Sequence, residues 1–120
     1  MDMQIRHFQT EDAVIIKILE SRLDAAVAIM FKDMMRDTVV EDGTRVILDL
    51  SQVQFLDSSG LGAIVGVMKL LGPTRPLEIA ALSPAVRKLF RLTRMDTVFR
   101  IHDNAPAIDG IDSDTFSIAG

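Results

Sequence analysis

The spacing of apolar positions changes several times along the chain, and each change predicts an element. Val14-Ile15-Ile16-Lys17-Ile18-Leu19 is a dense β-branched run and Met3 to Phe8 alternates more loosely, so the first twenty residues predict two strands. Glu11 and Asp12 mark the turn between them. From Asp24 the spacing becomes helical: Val27, Met30, Phe31, Met34 and Met35 gather on one side, with Lys32, Asp33 and Arg36 elsewhere around the cylinder. Asp24 is placed to cap this helix and Glu41-Asp42-Gly43 to stop it, because glycine accepts the left-handed conformation common at helix ends. The methionines are expected in the core, where this side chain fills irregular space, rather than in a binding groove.

Arg45-Val46-Ile47-Leu48-Asp49-Leu50 has almost no alternation, which predicts a central strand buried on both faces. Ser51 to Leu56 leads to the capping cluster Asp57-Ser58-Ser59-Gly60, a helical run from Leu61 to Leu71 and the breakers Gly72-Pro73. Leu77 to Leu82 predicts another strand. Ser83-Pro84 then opens a helix whose apolar face carries Val86, Leu89, Phe90 and Met95. Val98 to Ile101 reads as a last short strand, and Ala105 to Gly120 as a weakly patterned tail that frays or docks loosely. Strands and helices in turn, joined by short connections, predict an α/β fold. Its sheet is mixed because of the first hairpin and otherwise parallel through right-handed crossovers, with helices flanking it.

Composition narrows the function. A chain of 120 residues has room for one hydrophobic core, and 48% hydrophobic with 25% charged residues is an ordinary balance for a folded domain. With no cysteine there is no disulfide framework, thiolate metal site or cysteine nucleophile. Seventeen acidic residues against thirteen basic ones give a net charge of −4, which argues against a nucleic-acid binder. The first ten residues alternate instead of forming an apolar signal segment, and the longest apolar stretch, Leu61 to Leu71, is too short to span a bilayer. No direct membrane insertion is therefore expected, and the protein is expected to be soluble and cytoplasmic.

Catalytic patterns are missing. The turn Asp57-Ser58-Ser59-Gly60-Leu61 lacks the leading glycine of a hydrolase nucleophile elbow. Gly60, Gly62 and Gly66 match neither a phosphate loop nor a dinucleotide fingerprint. His7 and His102 stand in strand-like segments without a spaced carboxylate, so edge-strand or surface positions are expected for both. No metal-ligand spacing stands out. Gly62 and Gly66, four apart on one helix, form a smooth stripe suited to close packing, with the protein's own sheet the expected neighbour. Arg87, Lys88, Arg91 and Arg94 are read as one helix's solvated face, with an anionic partner as the alternative.

The positive signal is the serine pair at the start of a helix. A helix N-terminus has unpaired N–H groups and a partial positive charge, so a hydroxyl there is either a simple cap or a place to hold a phosphate. The longer string Val46-Ile47-Leu48-Asp49-Leu50-Ser51, then Phe55-Leu56-Asp57-Ser58-Ser59-Gly60-Leu61-Gly62-Ala63-Ile64, resembles the STAS domain family, in particular the bacterial anti-sigma factor antagonists. The likeness continues through Ser21 to Ala25, Leu77 to Pro84 and Leu89 to Phe99, and covers about residues 3–104, leaving 105–120 as the tail.

What the resemblance implies is a partner-switching regulator and not an enzyme. The serine after the aspartate, here Ser58, would be phosphorylated by an anti-sigma factor serine/threonine kinase, with Ser59 the second choice. Asp57, Ser58, Ser59, Gly60, Leu61 and Gly62 would form the partner-binding surface. The unphosphorylated protein would bind the kinase and free a sigma factor, phosphorylation would dissociate it, and a PP2C-type serine phosphatase would reset it. ATP and magnesium would belong to the kinase, and the chain would need no cofactor. The family also implies an alternative, a non-enzymatic STAS subunit of a membrane transport complex such as a lipid-transporting ABC system. One departure is the C-terminus, where relatives usually continue into a fuller amphipathic helix and this chain has Pro106, Gly110 and an acidic tail.

Overall fold

A computed structural model describes residues 3–39 and 45–105. Five strands, β1 (Ile5–Gln9), β2 (Ala13–Ile18), β4 (Arg45–Asp49), β6 (Leu77–Ala80) and β7 (Arg100–His102), form one sheet in the order β1-β2-β4-β6-β7. A short pair, β3 (Arg22–Leu23) and β5 (Phe55–Leu56), stands apart from it. Among the described residues there are three α-helices: α1 (Ala25–Val39), α2 (Ser58–Leu71) and α3 (Pro84–Leu92). The β1–β2 hairpin is antiparallel and every later pairing is parallel, as the pattern of the chain predicts. Thr10 closes the hairpin turn, its Oγ1 accepting from the Ala13 N–H at 3.1 Å.

β4 lies at the centre of the sheet with Val46, Ile47, Leu48 and Asp49 all buried, which accounts for its unbroken apolar run. Val14, Ile16, Val46, Leu48, Leu77 and Ile79 meet Phe31, Ile64, Val67, Val86 and Phe90 in one large core, so all three helices bury their apolar sides in the same cluster. Met35 is fully buried there, and Met30 and Met34 pack against it. A smaller cluster of Ala13, Ile15, Ile47 and Ala80 belongs to the other face of the sheet.

Several boundaries differ from those predicted. α2 begins at Ser58 rather than Leu61, and β6 ends at Ala80, because Ala81 takes a positive φ of 60° and turns the chain before Leu82. α3 ends at Leu92, so Arg94 is not on that helix, and Met95 belongs to a separate 3-10 turn, Met95–Thr97. The last strand is Arg100–His102, two residues later than Val98. The stop predicted at Glu41-Asp42-Gly43 and the tail beyond Ala105 lie outside the described residues. The α3 start is as expected: Ser83 Oγ accepts from the Val86 N–H at 3.4 Å, donates to the Val53 carbonyl at 2.8 Å, and Pro84 follows in the first turn.

Candidate functional site

The short β3–β5 pair positions the serine turn. β3 leads directly into α1 and β5 into α2, and their parallel pairing, Arg22 with Phe55 and Leu23 with Leu56, brings the two helix N-termini side by side. The Arg22 guanidinium lies 4.1 Å from the centre of the Phe55 ring and its Nε donates to Asp24 at 3.2 Å, which braces the pair from the solvent side. Asp24 Oδ1 accepts from the Ala26 N–H at 3.1 Å, the cap expected for α1.

Asp57, not a serine, caps α2. Its Oδ1 accepts from the Gly60 N–H at 2.9 Å, and its Oδ2 accepts from the Ala25 N–H at 3.3 Å, so one carboxylate serves the first turns of both helices. This frees both serines from the capping role. Ser58 and Ser59 occupy the first two positions of the helix, exposed to solvent. A hydroxyl held there stands where N–H groups converge and the helix dipole is positive, which favours an added phosphate over the same group in mid-helix.

The three glycines have separate roles. Gly60 is buried; a Cβ there would lie 2.0 Å from the Leu23 carbonyl oxygen, so only glycine lets α2 close down on β3. Gly62 is exposed, with nothing within 4 Å of an added Cβ, and Gly66 faces α1, where an added Cβ would lie 3.2 Å from Cε of the Lys32 side chain. Neither packs on the sheet, which corrects the expectation for this stripe: both lie toward α1 or solvent because the sheet side of α2 is taken by Ala63, Ile64, Val67 and Leu71. Leu61 is half-buried against the core.

Beside the serines, an open groove of about 350 Å³ runs between α1 and α2, lined by Ala25, Ala28, Ile29, Lys32, Ser59, Gly62 and Ala63. Its α1 wall was not anticipated from the sequence. The available signal was Ile29, which falls out of phase with the apolar stripe of α1 and is 74% exposed. The surface around Ser58 and Ser59 is therefore a mixed one: small residues open the groove, Ile29 supplies apolar area and Lys32 a positive charge.

The two histidines lie away from the serine turn. His7 is exposed on edge strand β1, as expected. His102, on edge strand β7, does meet a carboxylate: its Nε2 lies 2.8 Å from Glu78 Oε1, a contact invisible in the sequence because the two residues are 24 apart and meet only through β6–β7 pairing. Arg45 also donates to Glu78, from Nε at 2.9 Å and Nη2 at 2.7 Å. The hydrogen bonds from Arg45 hold the Glu78 carboxyl well below its ordinary range, at about 2; burial opposes this, and the contact with His102 assists it. The trio is a half-buried ion-pair network in which the buried Glu78 carboxylate joins the more exposed Arg45 and His102 side chains. No group of three or more potential metal ligands occurs among the described residues.

An α/β domain that presents a capped Asp-Ser-Ser-Gly turn at the mouth of a two-helix groove has the build of a STAS domain. A family model of the STAS domain matches residues 5–107, and the chain belongs to this family. It is 28% identical over 106 residues to the anti-sigma F factor antagonist of Paenibacillus polymyxa, an alignment covering 87% of this chain and 90% of that one. Its fold matches the anti-sigma factor antagonist SpoIIAA in its unphosphorylated form with a TM-score of 0.66 at 21% identity, over 90% of each chain. A murine anion transporter, Solute Carrier 26 family member A9, matches with a TM-score of 0.61 at 15% identity, over 76% of this chain and 18% of the transporter.

Proposed function

We propose that this chain is an anti-sigma factor antagonist switched by phosphorylation of Ser58. In the unphosphorylated form it binds an anti-sigma factor serine kinase and so releases a sigma factor; the phosphorylated form lets the kinase go, and a PP2C-type phosphatase restores it. The chain works in the cytoplasm, holds no cofactor and catalyses nothing, while ATP and magnesium are the kinase's. The observation that carries this reading is the separation of tasks at the turn. Asp57 does the capping, so the exposed Ser58 hydroxyl is spare for modification at the lip of the groove. The relatives named as antagonists support it.

The switch follows from electrostatics. A phosphate adds about −1.5 to −2 charges at neutral pH. Placed beside Asp57 and the small-residue groove, it makes burial of the turn under a partner costly unless cations meet it. Each ~1.4 kcal/mol of that cost weakens the complex tenfold. The fold shared with a transporter's domain favours the second reading, a structural subunit of a membrane transport complex, which would use the same surface without a kinase.

Phosphopeptide mass spectrometry on the chain isolated from its own cells, resolved to single serines, tests the proposal. A phosphate on Ser58 that changes with growth condition is expected. In pull-downs, Ser58→Ala should retain an ATP-binding partner that Ser58→Asp loses by tenfold or more. Unmodified Ser58 in every condition, with both variants co-purifying equally with a transporter ATPase, would establish the transport reading instead.

A further inference from the structure

Away from the serine turn, α3 ends in a surface that the switch does not use. In a parallel sheet the helices start at the carboxyl ends of the strands, so Asp57, Ser58 and Ser83 share one end of the molecule and the C-terminus of α3 lies at the other. There Lys88, Arg91 and Leu92, three and four residues apart, form the solvent face of α3, opposite the buried Val86 and Phe90. Leu92 is 72% exposed, and Val98 beyond the 3-10 turn is 46% exposed. Lys88, Arg91 and Arg94 make no ion pair with a described residue. Arg94 also holds a left-handed backbone, φ 63°, where glycine is the unstrained choice. The position thus carries a long cationic side chain where glycine would suit the backbone, two residues after the exposed Leu92 and four before the exposed Val98.

We infer that this turn of α3 and the residues after it is a second docking surface, for an acidic segment of a partner protein that carries an apolar side chain. Charge complementarity decides the chemistry. On a chain of net charge −4, the exposed stretch from Lys88 to Val98 carries Lys88, Arg91 and Arg94 against one carboxylate, Asp96, and interleaves them with Leu92 and Val98, so a short acidic segment within a Debye length of about 8–10 Å meets a local excess of cations before the acidic remainder of the molecule. An anionic bilayer is an extended plane that meets the whole negative protein, and two apolar side chains are a small anchor, so the membrane is the weaker candidate. A mostly polar depression of about 240 Å³ adjoins Arg91, with Arg87 and Asp96 also in its wall, and gives a carboxylate of the partner a place beside the two guanidinium groups, while Leu92 and Val98 outside it meet the partner's apolar side chain. The surface is independent of Ser58 and remains available when the serine turn is phosphorylated.

The test is selection of a random 12-residue phage-displayed peptide library on the immobilised full chain, followed by fluorescence anisotropy with the selected peptides. Peptides rich in Asp and Glu with one or two large apolar residues are expected. Arg94→Gly should keep or raise the melting temperature while weakening peptide binding at least fivefold, Leu92→Ser should weaken it similarly, and Ser58→Asp should leave it within twofold. Failure to select acidic peptides, or peptides that bind Arg94→Gly as tightly as the parent, would overturn the inference. So would sedimentation with phosphatidylglycerol vesicles that Arg94→Gly abolishes in the absence of peptide binding, since that assigns the patch to a membrane.

Discussion

Gly60 and Gly62 stand two residues apart in one turn and answer opposite constraints. A methyl group on Gly60 would drive into the Leu23 carbonyl, backbone that cannot move without separating β3 from β5, so Gly60→Ala should cost about 3 kcal/mol or more. Gly62 meets nothing, and replacing a helical glycine by alanine there should stabilise the chain by about 0.5–1 kcal/mol. Urea denaturation of the two variants measures both effects; equal changes in midpoint would show that the close approach at Gly60 is not what requires glycine. A string read as one motif thus divides into a residue that builds the turn from behind and a residue that keeps its outer surface low. The family resemblance put both glycines on one partner-binding surface, and the carbonyl that distinguishes them comes from 37 residues away in sequence.

At the scale of elements, the link between α1 and α2 is the Asp57 carboxylate. Asp57→Ala removes the acceptor for two helix-start N–H groups and should destabilise the fold by about 1–2 kcal/mol, the range for loss of a cap. Asp57→Asn, which keeps one carbonyl oxygen and loses the second acceptor, should fall between the two. Thermal unfolding distinguishes these, and hydrogen exchange at Ala25 and Gly60 should quicken together in Asp57→Ala; quickening at Gly60 alone would mean that the 3.3 Å contact to Ala25 carries no weight. This cap also shows what was legible in the sequence. Long periodic segments such as α1 and the unbroken run of β4 announce themselves, since their pattern is imposed by a core on one or both sides. β3 and β5 do not, because two-residue strands have no period. Their presence is what sets α1 beside α2 and turns a motif on one helix into a groove between two. The helix start was placed three residues late for a related reason: serine and aspartate are both good caps, and only geometry shows which oxygen accepts the N–H.

For the molecule as a whole, the serine turn of the proposed switch and the ion pair that governs acid stability reside in different places. Glu78, 6% exposed on β6, joins Arg45 of β4 to His102 of β7 and so ties the edge strand to the centre of the sheet, on the face away from the helices. Its folded-state pKa of about 2 lies below the ordinary 4.5, so the carboxylate contributes stability in full above pH 4.5 and loses that contribution as the pH falls through about 2. Arg45 is 46% exposed, which screens the pair and limits the contribution to the order of 2 kcal/mol. Comparing Glu78→Gln with the parent by urea denaturation should give that difference at pH 6 and a gap that closes between pH 4.5 and 2. A gap constant across this range would mean that the glutamate acts through shape and hydrogen bonding rather than through its charge. Binding at the serine turn should follow neither curve while the fold holds, because the groove residues Ala25, Ile29, Lys32 and Gly62 are on α1 and α2 and the trio is on the opposite face of the sheet. Loss of partner binding over the same acid window, at temperatures where Glu78→Gln remains folded, would show instead that the sheet transmits the charge state of Glu78 to the helices.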